Sequence, residues 1–101
     1  MDLVERLRGC IGFEWDDGNA EKNWVKHQVS RGEAEEVFFN EPLVVADDEE
    51  HSAREERFFV LGHTNRRRAL FLVCTIRGEL IRVISARDMT KKEREVYRAH
   101  G

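Results

Sequence analysis

The stretch Ala69-Leu70-Phe71-Leu72-Val73-Cys74-Thr75-Ile76-Arg77-Gly78-Glu79-Leu80-Ile81-Arg82-Val83-Ile84-Ser85-Ala86 decides the fold. Two β-branched and apolar runs of strand length flank the tight-turn sequence Ile76 to Glu79, so they read as an antiparallel hairpin. The run Ala69 to Ile76 is apolar on both faces, which marks a central strand covered twice. Working backwards, Arg57 to Gly62 reads as another strand and Leu43 to Ala46 as a fourth. The polar loop Asp47 to Glu50 plus His51-Ser52 lies between them. Further out the apolar period becomes helical. Ser30 with Glu33 is a capping box, Ala34, Val37 and Phe38 form the stripe behind it, and Pro42 stops the helix. Ala20, Trp24 and His27 fall on one face of a preceding helix, with turn and N-cap chemistry at Asp16-Asp17-Gly18 and a short strand at Gly12 to Trp15. Thr90 with Glu93 is a second capping box and opens a C-terminal helix through Val96 and Tyr97. The sum is an α+β class: an antiparallel sheet of four to five strands, two N-terminal helices and a C-terminal helix.

The chain has 101 residues, 41% hydrophobic and 37% charged, enough for one small domain with a core. Residues 13–101 form that domain, and residues 1–12, with Leu3, Val4 and Leu7, read as a loosely helical extension. No apolar run reaches the ~18 residues of a membrane helix, and no signal peptide opens the chain. Cys10 and Cys74 form no CxxC, and Cys74 sits in an apolar run that suits a reduced, buried thiol. These features describe a soluble, cytoplasmic domain with no membrane partner.

The charge is unevenly divided. Residues 1–53 hold five basic and fourteen acidic side chains, and residues 54–101 hold twelve basic and six acidic ones, for a total of −3. Ten of those twelve are arginine, a residue suited to bidentate recognition of phosphate. Pairing of Arg and Glu on a solvated surface accounts for the same composition. With a two-residue turn at Arg77-Gly78, Arg68 falls opposite Arg87, and a bridging anion would relieve the repulsion, unless both extend into solvent or pair with Glu56 and Asp88. Arg82 interrupts an apolar strand, so either its face is open or it is paired beneath a helix. His27, His51, His63 and His100 show no metal-ligand spacing, and no phosphate-binding glycine loop is present, so neither metal nor cofactor is expected. His27, after Lys26, has a pKa suited to proton transfer, and equally suits a helix C-terminus as a cation.

Several strings occur together in fixed order. They are Phe13-Glu14-Trp15-Asp16, Asn23-x-x-Lys26-His27, Glu33-Ala34-x-x-Val37-Phe38, Pro42, Asp47-x-x-x-His51-Ser52-x-x-Glu55-Glu56-Arg57 and Leu61-Gly62. Then follow Thr75-x-Arg77, Ile81-Arg82-Val83-Ile84-Ser85-Ala86-Arg87, Glu93-Arg94 and Tyr97. The series, from Phe13 to Tyr97, resembles the BrnT family of bacterial type II toxins. The resemblance implies a RelE-like fold, RNA cleavage that arrests growth, and neutralisation by a BrnA antitoxin. That antitoxin is a ribbon-helix-helix protein through which the complex meets operator DNA. The sequence departs from the pattern at Gln28, where Gly usually follows the His, at Arg31, where Phe follows the Ser, and at Arg67, where Gly precedes the Arg.

Metal-independent RNA cleavage needs a base for the ribose 2′-OH, cations for the phosphate and an acid for the leaving oxygen. On this reading Arg57, Arg68 and Arg87 hold the phosphate with Arg82 and Arg77 near them. Glu56 or His27 is then the base, and Tyr97 or Lys26 the acid. The rival reading is a non-catalytic module that docks an antitoxin and co-represses transcription, with Phe58 or Phe71 covered only in the complex.

Overall fold

A computed structural model describes residues 2–51 and 55–101. Ser52, the last residue of the expected polar loop, lies outside them. The elements are α1 (Leu3–Arg8), β1 (Gly12–Glu14), α2 (Asp17–His27), α3 (Arg31–Glu36), β2 (Val44–Asp47), β3 (Arg57–His63), β4 (Ala69–Arg77), β5 (Leu80–Asp88) and α4 (Lys91–Arg98). Short 3-10 turns follow α3 and β2. The strands form one sheet in the order β1-β5-β4-β3-β2, with β4 in the middle as its two-sided apolarity requires. β2 to β5 are antiparallel neighbours, whereas β1 runs parallel to β5. The sheet is therefore mixed. The Ile11 N–H donates to the Glu79 carbonyl, which sets the start of β1 beside the start of β5.

Capping chemistry fixes the helices. Asp16 accepts from the Asn19 N–H at α2, and both expected capping boxes, Ser30 with Glu33 and Thr90 with Glu93, are formed. α1 to α3 cover one face of the sheet, where Leu7, Val37 and Phe38 meet Phe58, Leu72 and Val83. Phe58 is wholly buried within the chain, so it needs no partner to cover it. Leu7 of α1 belongs to the same core. The inner face of α2 differs from its apolar pattern: Trp24 is 51% exposed, and Asn23 is the buried residue. Its Oδ1 accepts the Ala86 N–H, a role that hydrophobic periodicity does not reveal.

Two non-glycine residues sit in left-handed backbone, Gln28 at φ 56° and Arg67 at φ 68°. Both are positions where the resembled family writes glycine. Gln28 closes α2, its N–H reaching the carbonyls of Asn23 and Trp24. Arg67 ends a three-residue hairpin loop between Thr64 and Arg68. Side chains there cost about 1–2 kcal/mol. Gly62 has a different reason: a Cβ on it would run into Val37 Cγ1 beneath the sheet. Gln28→Gly and Arg67→Gly should therefore each stabilise the chain by about 1 kcal/mol, and Gly62→Ala should cost about 1–3 kcal/mol. Urea unfolding checks all three, and a loss at either glycine replacement would contradict the strain argument.

Candidate active site

Strand alternation sorts the charged residues. The helix-covered face takes Phe58, Val60, Leu70, Leu72, Cys74, Ile81 and Val83. The opposite face takes three cross-strand rows: Val44–Leu61–Phe71–Arg87, Ala46–Phe59–Val73–Ser85 and Arg57–Thr75–Arg82–Glu14. β5 carries one extra residue, since Val73 opposes Ser85 while Cys74 opposes Val83. The turn is Gly78-Glu79, with Gly78 at φ 59° and Arg77 opposite Leu80. The expected juxtaposition of Arg68 and Arg87 is thus overturned: Arg87 lies opposite Phe71 and faces the open side.

Arg68 instead turns to the helices, and all five of its N–H groups are used. Nε and Nη2 hold Asp88 at 2.7 and 3.1 Å, and Nη1 holds Glu33 at 3.1 Å. The two remaining bonds go to the carbonyls of Gln28 and His27 at 2.8 and 3.0 Å. One guanidinium therefore ties the end of α2, the start of α3 and the ends of β4 and β5. The bonds to Asp88 raise the Arg68 pKa, and the same bonds hold the Asp88 carboxyl below its ordinary value. Burial pushes Glu33 upward, but the Ser30 N–H and Arg68 together outweigh it and leave it lowered.

Depressed carboxylates contribute stability that is present above their unfolded pKa and lost as pH falls through the folded one. Arg68→Met should cost about 2–3 kcal/mol near neutrality. Its stability should also fall less than the native chain's between about pH 6 and pH 3. Urea midpoints across that range test this, and a constant gap between the two proteins would mean that the clamp is not ionic.

The open face carries the other arginines. Arg57 and Arg82 flank the buried Thr75, whose hydroxyl donates to the Glu56 carbonyl. Arg82 reaches Glu14 at 2.6 Å and Asp16 at 3.1 Å, so it is paired with acidic residues of the β1 edge rather than beneath a helix. Arg77 meets the same Glu14 and Glu55 at 3.5 and 3.6 Å. Arg87 lies over the Phe71 ring, 4.1 Å from its centroid, and makes a two-bond pair with Glu93 of α4 at 2.8 and 3.0 Å. This pair raises the Arg87 pKa and lowers that of Glu93. Arg82 gives two N–H groups and Arg87 three to these bonds and to the Asp88 carbonyl, among the described residues.

One turn further along α4, the Tyr97 hydroxyl donates to the Pro42 carbonyl at 2.6 Å and lies 2.7 Å from His63 Nδ1. Because the phenolic proton is engaged, Nδ1 must be the donor to Tyr97, and the neutral ring then presents Nε2 as an acceptor. Burial raises the Tyr97 pKa, which suits a hydroxyl that holds its proton. Glu93 and Tyr97 are neighbours at i, i+4, so a single helix face positions Arg87 and His63.

The residues singled out from sequence therefore divide. Arg57, Arg77, Arg82, Arg87 and Tyr97 share the open side. Arg68, Glu56, His27 and Lys26 belong to the helix side, where Glu56 forms a two-bond pair with Arg6 at 3.2 Å and His27 ends α2. Arg6 holds the Glu56 carboxyl below its usual range. His63 had only its alternation within β3 to mark it, since its partner Tyr97 is 34 residues away. No cluster of three or more metal-ligating side chains stands among the described residues, and none of their helices is long and apolar enough to cross a membrane.

A small α+β chain with an arginine-bearing open sheet face fits a nucleic-acid-directed protein, and comparison with known proteins specifies which kind. The family model for the ribonuclease toxin BrnT of type II toxin–antitoxin systems matches residues 15–93. The chain belongs to that family, which makes it a ribonuclease toxin whose substrate is RNA and whose partner is an antitoxin. Its fold is similar to the 1.1 Å crystal structure of the Brucella abortus ribonuclease toxin BrnT. The TM-score is 0.59 at 18% identity, over 79% of this chain and 97% of that one. No curated protein matches the sequence.

Proposed function

We propose that the chain cuts RNA on the open face of its sheet without a metal ion, and that a BrnA-type ribbon-helix-helix antitoxin silences it and carries the pair to operator DNA. The observation that supports this reading is the sharing of one face by Arg57, Arg82, Arg87 and the acceptor nitrogen of His63. Arg87 meets the reacting phosphate with the N–H groups it does not give to Glu93 and the Asp88 carbonyl, and Arg57 and Arg82, two cross-strand rows away, meet neighbouring phosphates of the RNA. His63 Nε2 takes the proton as the ribose 2′-oxygen attacks phosphorus. The P–O5′ bond breaks, the 5′-oxygen takes a proton from water, and the product ends in a 2′,3′-cyclic phosphate. Tyr97 acts as a positioning residue: it fixes the His63 tautomer through Nδ1. Glu56 and His27, the bases expected from sequence, lie across the sheet from these arginines. Arg68 serves as the clamp that holds the sheet to α2 and α3.

The experiment is cleavage of single-stranded RNA by the purified chain in excess chelator. Arg87→Ala should slow it about a hundredfold, the cost of one oriented cation. His63→Gln should slow it by about 10²–10⁴. Arg31→Ala, on the helix side where Arg31 pairs with Asp17, should leave the rate unchanged. Loss of activity in chelator would end the metal-free reading. Undiminished cleavage by Arg57→Ala, Arg82→Ala and Arg87→Ala would move the site off this face.

A further inference from the structure

We propose that the cleft between α4 and the open sheet face is a subsite for one unpaired nucleobase, which makes unpaired RNA the substrate class; this rests on the ribonuclease reading above. The cleft has a volume of ≈ 380 Å³ and is floored by Phe59, Leu61 and Phe71, with Val44 at one side and Val96 of α4 as its wall. The Phe59 and Phe71 rings lie 5.6 Å apart at 34°. Val96 is 45% exposed, an unusual state for an apolar residue on the inner side of a helix that its neighbours Glu93 and Tyr97 pin to the sheet.

Charge and size decide the occupant. The Arg87 guanidinium already stacks on Phe71, and Lys92 lines the mouth, so cations adjoin an aromatic floor. That combination suits a flat ring joined to a phosphate: the base enters the apolar cleft while its backbone meets the arginines. The volume is that of a small-ligand pocket. A protein partner instead covers about 800 Å² on each side. The apolar walls supply stacking without hydrogen-bond readout, so the subsite accepts any base. A base inside a duplex is stacked and paired, and only one that is swung out can enter.

The test is the affinity of the intact chain for a short 2′-O-methyl RNA, in which the attacking hydroxyl is blocked and binding is separated from cutting. The intact oligonucleotide is compared with a series carrying one abasic position, and with its duplex. The expected results are an about tenfold loss at one abasic position and a larger loss for the duplex. Phe71→Leu and Val96→Asp should each weaken the intact oligonucleotide by about the same factor, with no further loss on the abasic one. Val96 is on the surface, so that variant and the abasic series carry the test if Phe71→Leu fails to fold. Equal affinity for intact and abasic RNA would overturn the subsite. So would Phe71→Leu losing an acidic, apolar peptide while keeping RNA, which would make the cleft a protein dock. A native chain that binds unpaired RNA in this base-dependent way but does not cut it would remove the ribonuclease reading and leave the subsite standing.

Discussion

The extra residue in β5 is the constraint on which the rest of this structure depends. A strand sends successive side chains to opposite faces, so a one-residue shift exchanges them all. Between the hairpin turn and the bulge, Ile81 and Val83 face the helices and Arg82 faces outward. With strict alternation Arg87 would follow Ile81 and Val83 into the helix side. The extra residue near Ile84 resets the count, and Ala86 and Asp88 face the helices while Arg87 faces out opposite Phe71. One irregularity therefore gives Arg68 its partner Asp88 and gives the open face a fourth arginine.

The two arginines that begin β4 and end β5 consequently have opposite characters. Arg68 is saturated by five bonds and joins four elements, which suits a small domain, since such domains are only marginally stable. Among the described residues Arg87 is held by the Glu93 carboxylate, the Asp88 carbonyl and the Phe71 ring, at the edge of a cleft. α4 has no buried residue of its own. It is fastened by polar contacts four residues apart, Glu93 to Arg87 and Tyr97 to Pro42 and His63, and these contacts hold Arg87 and His63 in place.

Much of the fold was legible because it is written in local chemistry. The capping boxes at Ser30 and Thr90, the hairpin around Gly78 and the two-sided apolarity of β4 each depend on residues close in sequence. What escaped depends on distant partners. The turn falls at Gly78-Glu79, one residue later than Arg77-Gly78, and the bulge has no sequence mark, so counting back from the expected turn placed Arg68 against Arg87. The parallel pairing of β1 is set by a contact between Ile11 and Glu79, and the burial of Asn23 by the amide of Ala86. The arginines could be singled out by type, since guanidinium chemistry is visible in a sequence. Their faces were not, and neither was the tautomer of His63, which a tyrosine hydroxyl on another element fixes. Gln28 and Arg67 lie between these cases: their departure from glycine pointed to backbone shape, and both adopt the left-handed conformation.

The most direct test of this division is an NMR titration that follows the arginine Nε–Hε signals as a non-cleavable single-stranded RNA is added. The signals of Arg57, Arg82 and Arg87 should move together with the RNA concentration, while that of Arg68, closed by Asp88 and Glu33, stays in place. Movement of Arg68 along with Arg87, or of Arg68 alone, would contradict the assignment of these residues to opposite faces.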